Sequence, residues 1–192
     1  MSSEIRIALL DDHPAIRAGL AAVIAPEEDL RLVGVAAHEA ELWSLVRGTR
    51  PDVVLLDLHN PGGDALHLCF ALTGQVQGPA LVLYTGHSDD ALLVAATLAG
   101  AGAVVSKSSP VSTLLDAIRS LARTPHTLPP IERRGQRDIA ARLDPADPAI
   151  LAMRLAGGST DDIGQTLRLP SPTIRDRIAG IIARLEPSGS MV

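Results

Sequence analysis

The chain is poor in aromatic residues and in cysteine. Its 192 residues include one Trp, one Tyr, one Phe and one Cys. With a single cysteine, Cys69, no disulfide can form within the chain, which fits a protein of the reducing cytoplasm. Hydrophobic residues nevertheless make up 46% of the sequence. The hydrophobic core must therefore be built from Ala, Leu, Val and Ile.

Long apolar runs are missing as well. No uninterrupted apolar stretch approaches the length of about 20 residues that is needed to cross a bilayer. The N-terminal residues show no signal-peptide pattern. We therefore expect a cytoplasmic protein with no membrane partner. Residues 1–131 carry eight basic and fourteen acidic side chains, a net charge of −6, whereas residues 132–192 carry nine and eight, a net charge of +1. The second part is therefore not a strongly basic nucleic-acid clamp.

Short, β-branched apolar runs alternate with helical patterns over the first 123 residues. This alternation predicts a parallel sheet with helices on both faces, that is, a doubly wound α/β fold. We expect strands at 5–10, 31–36, 52–57, 79–84 and 103–106, and helices at 14–25, 38–48, 64–73, 88–99 and 110–122.

Polar residues stand at the ends of four of these strands. Asp11 and Asp12 follow the first, Asp57 ends the third, Thr85 follows the fourth and Lys107 follows the fifth. The ligand crevice of an open parallel sheet lies outside the carboxyl ends of its strands, so we expect these side chains to share one cleft. Carboxylates can hold Mg²⁺, and one of them can then attack phosphorus. The hydroxyl and the ammonium group can bind phosphoryl oxygens.

Each of these residues also has a plainer interpretation. Paired aspartates after a strand often cap a helix, and a lone Thr85 is an ordinary strand residue. Asp57 is harder to explain in this way because it ends an apolar run, where an unpaired carboxylate is costly to bury. Lys107 is the only lysine in a chain that otherwise uses arginine. Together, the residues favour a phosphoacceptor site.

At these positions the chain resembles the receiver domain of two-component response regulators. The stretch LLDDHPAIRAGL, residues 9–20, is similar to the opening of the NarL/FixJ subfamily. Asp57 with Pro61, Thr85 with Gly86, and AGAGAVVSK ending at Lys107 follow in the family's order. The resemblance covers residues 4 to 123. It implies a flavodoxin-like receiver with a five-stranded parallel sheet.

The resemblance also implies an activity. A sensor histidine kinase would transfer a phosphoryl group to Asp57, with Mg²⁺ as the cofactor. The residues implied are Asp11, Asp12, Asp57 and the backbone carbonyl of His59 as metal ligands, and Thr85 and Lys107 as ligands of the phosphoryl oxygens.

The same resemblance implies roles for other positions. The family carries a switch aromatic three residues before the lysine, and here that position is Val104. His59 and His87 stand where family members influence removal of the phosphoryl group by water, or they are simply solvated loop residues. We expect His13 and His38 to serve in loops or as helix caps.

The composition changes after residue 123. Residues 124–142 contain three prolines and four arginines, which favours a semi-rigid linker with a short helix near 137–142. The expected organisation is a receiver domain at 1–123, a linker at 124–142, a small helical domain at 143–187 and a tail at 188–192.

The helical domain contains three short helical patterns. Asp144 or Asp147 can cap the first helix, Thr160 can cap the second and Ser171 can start the third. Two short helices joined by a tight turn are typical of a helix-turn-helix, a small all-α DNA-binding unit.

The same segment resembles the LuxR-type domain of the subfamily. Thr173, Ile174 and Arg175 match the core of its recognition helix. The match implies that Thr173, Arg175 and Arg177 contact double-stranded DNA and that the protein regulates transcription. A homodimer formed through the receiver would place two copies on a palindromic site.

This segment also departs from the family pattern. The turn around Gly158 is one residue shorter, a fourth helical pattern is absent, and Asp176 lies between the two arginines. Residues 143–187 hold five arginines against six carboxylates, although DNA binding draws on neutralised phosphates. The alternative is a receiver-based interaction or dimerisation module whose helices dock a protein.

Two further functions use the same residues. A phosphatase or phosphotransferase can also use an aspartate nucleophile with Mg²⁺, but a second acid for the leaving group and a cap over the substrate are not visible in the sequence. A scaffold that works without phosphorylation would not need the complete set of five polar residues. We therefore expect a regulator rather than an enzyme.

Overall fold

The first half of the chain forms a five-stranded parallel β-sheet in the order β2-β1-β3-β4-β5. The computed structural model describes residues 4–57, 65–73, 75, 78–86, 90–123, 142–144, 147–155 and 158–185. The strands are β1 (Ile5–Leu10), β2 (Leu30–Ala36), β3 (Val53–Asp57), β4 (Ala80–Thr85) and β5 (Ala103–Ser106). The doubly wound fold predicted from the sequence is confirmed, and each strand begins and ends within one residue of its predicted bounds.

Helices cover both faces of the sheet. Those between and after the strands are α1 (Pro14–Ile24), α2 (Glu39–Thr49), α3 (Ala65–Thr73), α4 (Asp90–Ala99) and α5 (Val111–Arg123). The C-terminal helices within the described residues are α6 (Asp147–Leu155), α7 (Thr160–Leu167) and α8 (Ser171–Leu185).

The strands divide their side chains between two cores. On β1, Ala8 and Leu10 join the core that contains α2, α3 and α4, whereas Ile7 and Leu9 join the core that contains α1 and α5. The other central strands alternate in the same way, because successive strand residues point to opposite faces. Both faces are buried, which explains why the strands are continuous apolar runs.

The strand order fixes where a ligand can bind. From β1 the chain adds β2 on one side of the sheet, and it then adds β3, β4 and β5 on the other side. The switch point of the strand order therefore lies between the parallel neighbours β1 and β3. In open α/β sheets the crevice outside the carboxyl ends of such strands is the usual ligand site. Asp11 directly follows β1 and Asp57 is the last residue of β3. The fold therefore places these two carboxylates at the switch point.

Helix α7 begins with a complete capping box. The side chain of Ser159 accepts a hydrogen bond from the backbone N–H of Asp162, and the Asp162 carboxylate accepts one from the backbone N–H of Ser159. The cap is therefore Ser159, not Thr160 as predicted. A capping box needs a carboxylate or amide three residues after the cap, and only Ser159 has one there.

The C-terminal helices pack against the sheet-bearing part of the chain. Helix α8 lies along α4 and also contacts α3, while α6 contacts α4. Ile150 on α6, Ile163 on α7 and Ile178 on α8 belong to the same buried apolar cluster as Leu72 on α3 and Leu98 on α4. One continuous core thus joins the two parts.

Some expectations fall outside the described residues. They are the linker except for its last residue, the short helix near 137–142 except for residue 142, the tail, and the two histidines His59 and His87. The proposed division into domains stays a prediction. Within the described part of the chain, no helix combines the length and the apolarity that crossing a membrane requires.

Candidate functional site

Two buried carboxylates and one lysine form the centre of the site. Asp11 is fully buried and Asp57 is 2% exposed. The Lys107 Nζ lies 3.0 Å from Asp11 Oδ2 and 2.8 Å from Asp57 Oδ2. A single ammonium group therefore bridges the ends of β1 and β3. Two buried negative charges beside one positive charge leave the cluster with an excess of negative charge, which a further cation can neutralise.

The surroundings of Lys107 keep it charged. Burial lowers the pKa of Lys107, but its hydrogen bonds to Asp57 and Asp11 and the charges of both carboxylates outweigh burial, so the pKa is raised. The ammonium group also lies 5.7 Å from the centre of the Tyr84 ring, a distance at which a cation is attracted to an aromatic face. Lys107 is therefore a permanent positive charge at neutral pH.

Asp12 adds a third carboxylate that points into the same space. Its Oδ1 is buried without a well-aligned hydrogen bond, and the nearest basic nitrogen, His13 Nδ1, lies 2.8 Å from it. One ligand atom from each of Asp11, Asp12, His13 and Asp57 can be chosen so that all lie within 4.8 Å of one another. A buried carboxylate oxygen without a well-aligned donor is costly, and a hard divalent cation with oxygen ligands would stabilise it. The donor set therefore fits Mg²⁺.

Backbone contacts hold Asp11 in position. Its Oδ1 accepts a hydrogen bond of 2.8 Å from the backbone N–H of His13. The Arg17 guanidinium on α1 donates a hydrogen bond of 2.8 Å to the Asp11 carbonyl oxygen. The start of α1 thus fixes the acidic loop after β1.

Thr85 and Lys107 are tied together at the neighbouring strand ends. The backbone N–H of Lys107 donates a hydrogen bond of 2.6 Å to the Thr85 carbonyl oxygen. Thr85 is fully buried at the end of β4. Strands β3 and β4 are paired so that Asp57 lies opposite Tyr84, one residue before Thr85. All five polar residues expected at strand ends therefore lie at the same edge of the sheet.

Two residues near the cluster were not predicted to belong to it. His13 was expected to be a loop or cap residue. It does occupy the N-cap position of α1, but its ring also contacts Asp12. The position of Tyr84 one residue before Thr85 was the available signal for its contact with Lys107. The position of His13 directly after Asp12 was the corresponding signal on the other side of the site.

Val104 occupies the position of the family's switch aromatic. It lies on β5 opposite Leu83 of β4 and is half-buried against the core that contains α4. A valine has no ring that could move between an exposed and a buried position. The other expected modulators, His59 and His87, lie outside the described residues.

The residues predicted to contact DNA all lie on α8. Thr173 is half-buried, whereas Arg175 and Arg177 are exposed. Arg175 lines a cleft of about 670 Å³ between the C-terminal helices and α3, which contributes His67 and Phe70 to its wall. Arg177 does not line this cleft. The two arginines therefore face different surroundings.

Residues 7–119 match the family model of the response regulator receiver domain. The match covers the acidic cluster and the whole sheet except the first two residues of β1. The chain belongs to the two-component response regulators of the NarL/LuxR type.

Known proteins resemble the chain over nearly its full length. It is 27% identical to the transcriptional regulatory protein LiaR of Bacillus subtilis over 96% of this chain and 92% of that protein. It is 26% identical to the DNA-binding transcriptional activator DevR/DosR of Mycobacterium tuberculosis over 94% of this chain and 88% of that protein. The solved structure of the RcsB response regulator of Salmonella typhimurium superposes with a TM-score of 0.61 at 21% identity, over 98% of this chain and 94% of that one. The likeness to RcsB is one of fold.

Proposed function

We propose that this response regulator accepts a phosphoryl group on Asp57 from a sensor histidine kinase and thereby controls DNA binding by its C-terminal helices. The observation that carries the proposal is the cluster at the switch point of the sheet, where Asp11 and Asp57 are buried and share Lys107. Such a regulator of transcription would work in the cytoplasm and would accept one phosphoryl group per cycle.

Phosphoryl transfer would use Asp57 as the nucleophile. A carboxylate oxygen of Asp57 forms a bond to phosphorus while the bond between phosphorus and the kinase's histidine nitrogen breaks. The electron pair of that bond returns to the imidazole, which takes up a proton from solvent. Lys107 lies 2.8 Å from Asp57, so its ammonium group can follow the charge onto the phosphoryl oxygens. Thr85 supplies a hydroxyl group at the adjacent strand end.

Mg²⁺ would be held by the carboxylates of Asp11, Asp12 and Asp57, with the backbone carbonyl of His59 as a further proposed ligand. When bound, the ion neutralises charge on the attacking and transferred oxygens. Asp12 supports this assignment because its buried Oδ1 lacks a well-aligned hydrogen bond. Cation binding would offset the cost of burying that oxygen.

The phosphoryl group adds about −1.5 to −2 of charge beside Thr85 and Lys107. We propose that the new hydrogen bonds bias the end of β4 and the start of α4 between two arrangements. Val104 is not aromatic, so the response would rest on Thr85 and the backbone.

DNA recognition would use Thr173, Arg175 and Arg177 on α8. Support comes from the match of these residues to the LuxR-type recognition helix and from the similarity to DevR/DosR over both parts of the chain. The C-terminal segment carries almost balanced charge. A single copy would therefore bind weakly, and we propose a homodimer formed through the receiver as the active form.

The test is a selection from a pool of random-sequence DNA duplexes, performed with the full chain, Mg²⁺ and a small phosphodonor. We expect a sequence to be enriched and its affinity to rise with the phosphodonor. The Asp57→Asn variant should bind that sequence no better with the donor than without it. Failure to enrich any sequence with the phosphorylated chain would count against DNA as the partner and for a protein partner.

A further inference from the structure

Helix α4 is apolar on all of its sides. After its first residue, Asp90, the helix contains a single polar residue, Thr97. A helix that lies on the surface of a domain normally keeps a polar face toward water, whereas one that is apolar all round is covered on all sides. Of the α4 side chains that the structure describes, six are exposed by 1% or less: Leu92, Val94, Ala95, Ala96, Leu98 and Ala99.

The C-terminal part of the chain packs against α4. Helix α8 packs along α4 more extensively than any other two described helices pack together. It does so with one stripe of apolar residues, all 2% exposed or less: Ile174, Ile178, Ile181, Ile182 and Leu185.

The same stripe also holds the C-terminal helices together. Helix α8 contacts α6 and α7, which contribute the fully buried Ile150 and the nearly fully buried Ile163 to the shared cluster. Helix α3 closes the cluster from the other side with Cys69 and Leu72. Among the described residues, the buried apolar side chains of the three C-terminal helices all belong to one cluster with those of α3 and α4. Their core includes the side chains of α3 and α4.

We propose that α4 is a structural member of the C-terminal helical bundle, so that the sheet and the C-terminal helices unfold as one cooperative unit. This inference does not depend on the proposed function. It does bear on that function, because α4 is the next helix after Thr85 along the chain and a shift of α4 would carry α8 with it. While α8 stays in place, Arg175 lines the α3 cleft and Arg177 does not.

The chain contains a natural probe for this proposal. Trp43, the only tryptophan, lies on α2 and donates a hydrogen bond of 3.0 Å to Glu39 on the same helix. The Trp43 side chain is also half-buried against the core that contains α2, α3 and α4. Its fluorescence therefore reports unfolding of the sheet-bearing part, whereas far-ultraviolet circular dichroism reports all helices. Urea unfolding of the full chain should give one transition with the same midpoint by both probes.

The variant Ile178→Ala tests the coupling directly. It removes buried atoms from α8 and should lower the midpoint of the Trp43 transition by about 1 M urea, with an equal shift by circular dichroism. The Arg177→Ala control changes the exposed neighbour on the same helix and should leave both midpoints in place. Ile178→Val, a smaller deletion, should shift both probes together by a smaller amount.

Three results would overturn the proposal. They are two separate transitions in the unchanged chain, a Trp43 midpoint that Ile178→Ala and Ile178→Val leave unmoved, and an Arg177→Ala shift as large as that of Ile178→Ala. The experiment needs neither metal nor phosphodonor and can be repeated on Asp57→Asn. A chain that fails to accept phosphate would therefore leave its outcome unaffected.

Discussion

Lys107 balances two buried charges that belong to different strand ends. Asp11 and Asp57 are both almost fully buried, and each lies within 3.0 Å of the same ammonium group. A buried carboxylate is tolerated when it is paired, and loss of its partner is costly. At this site, Lys107 and a bound divalent cation would share the same stabilising role.

Removal of Lys107 should make the protein depend on Mg²⁺ for its stability. Lys107→Ala leaves Asp11 and Asp57 without their ammonium partner, so we expect the free energy of unfolding in EDTA to fall by about 3 kcal/mol. Mg²⁺ should restore more stability in the variant than it adds to the unchanged chain, because the ion neutralises the same carboxylates. Urea unfolding with EDTA and with Mg²⁺ measures both effects.

The control for this prediction is an exposed ion pair. Arg31 lies 3.5 Å from Glu4 with most of its side chain in solvent, and such pairs contribute little. Arg31→Ala should therefore change stability by less than about 1 kcal/mol, with or without Mg²⁺. A Lys107→Ala variant that is as stable as the unchanged chain in EDTA would show that the carboxylates do not need the ammonium group.

Individual residues were predictable to different degrees. Asp11, Asp57 and Lys107 could be placed at one edge because parallel strands bring their carboxyl ends together. For the contact of His13 with Asp12, adjacency in the sequence was the only signal, because the contact itself depends on the shape of one loop rather than on the sheet. The contact between Tyr84 and Lys107 likewise depends on side-chain direction at the end of β5.

At the scale of elements, Gly100 connects α4 to β5. Its φ of +85° lies in the left-handed region, which only glycine adopts without strain. A Cβ at this position would lie 2.7 Å from the Thr73 hydroxyl oxygen. That hydroxyl donates a hydrogen bond of 2.9 Å to the Ala99 carbonyl oxygen. Gly100 therefore lets the end of α4 approach α3 closely.

We expect Gly100→Ala to lower the free energy of unfolding by about 2 kcal/mol, since it combines backbone strain with a steric clash. The matched control is Gly19→Ala in the middle of α1, where a Cβ would meet nothing within 4 Å. That change should stabilise the protein by up to about 1 kcal/mol. Thermal unfolding of both variants checks the prediction, and equal effects would contradict it.

The elements themselves followed closely from sequence patterns. The strands were predictable because short β-branched runs between turn residues leave few alternatives. The start of α7 was misplaced by one residue because Thr160 is also a good cap, and the decisive signal was the spacing of Ser159 and Asp162. The apolar character of α4 was visible in the sequence, but the sequence did not reveal which helix covers it.

At the scale of the whole molecule, the packing of the C-terminal helices against α3 and α4 is the main feature that the structure adds to the prediction from sequence. The sequence predicted a linker and a separate helical domain, and that division stays a prediction. The structure places Ile174 and Ile178 in the core that also contains Leu98. Such pairings join residues far apart in sequence, so a local pattern predicts that an apolar stripe is buried but does not identify its partner.

The two predicted DNA-contacting arginines should differ in effect. Arg177 is exposed and lies outside the α3 cleft, so Arg177→Ala should weaken DNA binding by the unphosphorylated chain and reduce the slope of log affinity against log salt by about 1. Arg175→Ala should have the smaller effect in the same assay, because Arg175 lines the cleft against α3. Binding of the selected duplex at several salt concentrations measures both slopes.

The control for that assay is Arg123→Ala, at the exposed end of α5. It removes the same charge from the molecule but not from α8, so its salt slope should equal that of the unchanged chain. Equal losses in Arg123→Ala and Arg177→Ala would indicate attraction by overall charge rather than contact through α8.

The most direct measurement of the central claim is the intact mass of the full chain after incubation with a small phosphodonor and Mg²⁺. We predict a gain of one phosphoryl group in the unchanged chain and in Asp116→Asn, which removes an exposed carboxylate from α5. The gain should disappear in Asp57→Asn and when EDTA replaces Mg²⁺. An unchanged chain that gains no phosphoryl group with Mg²⁺ present, or an Asp57→Asn variant that still gains one, would contradict the assignment of Asp57 as the phosphoacceptor.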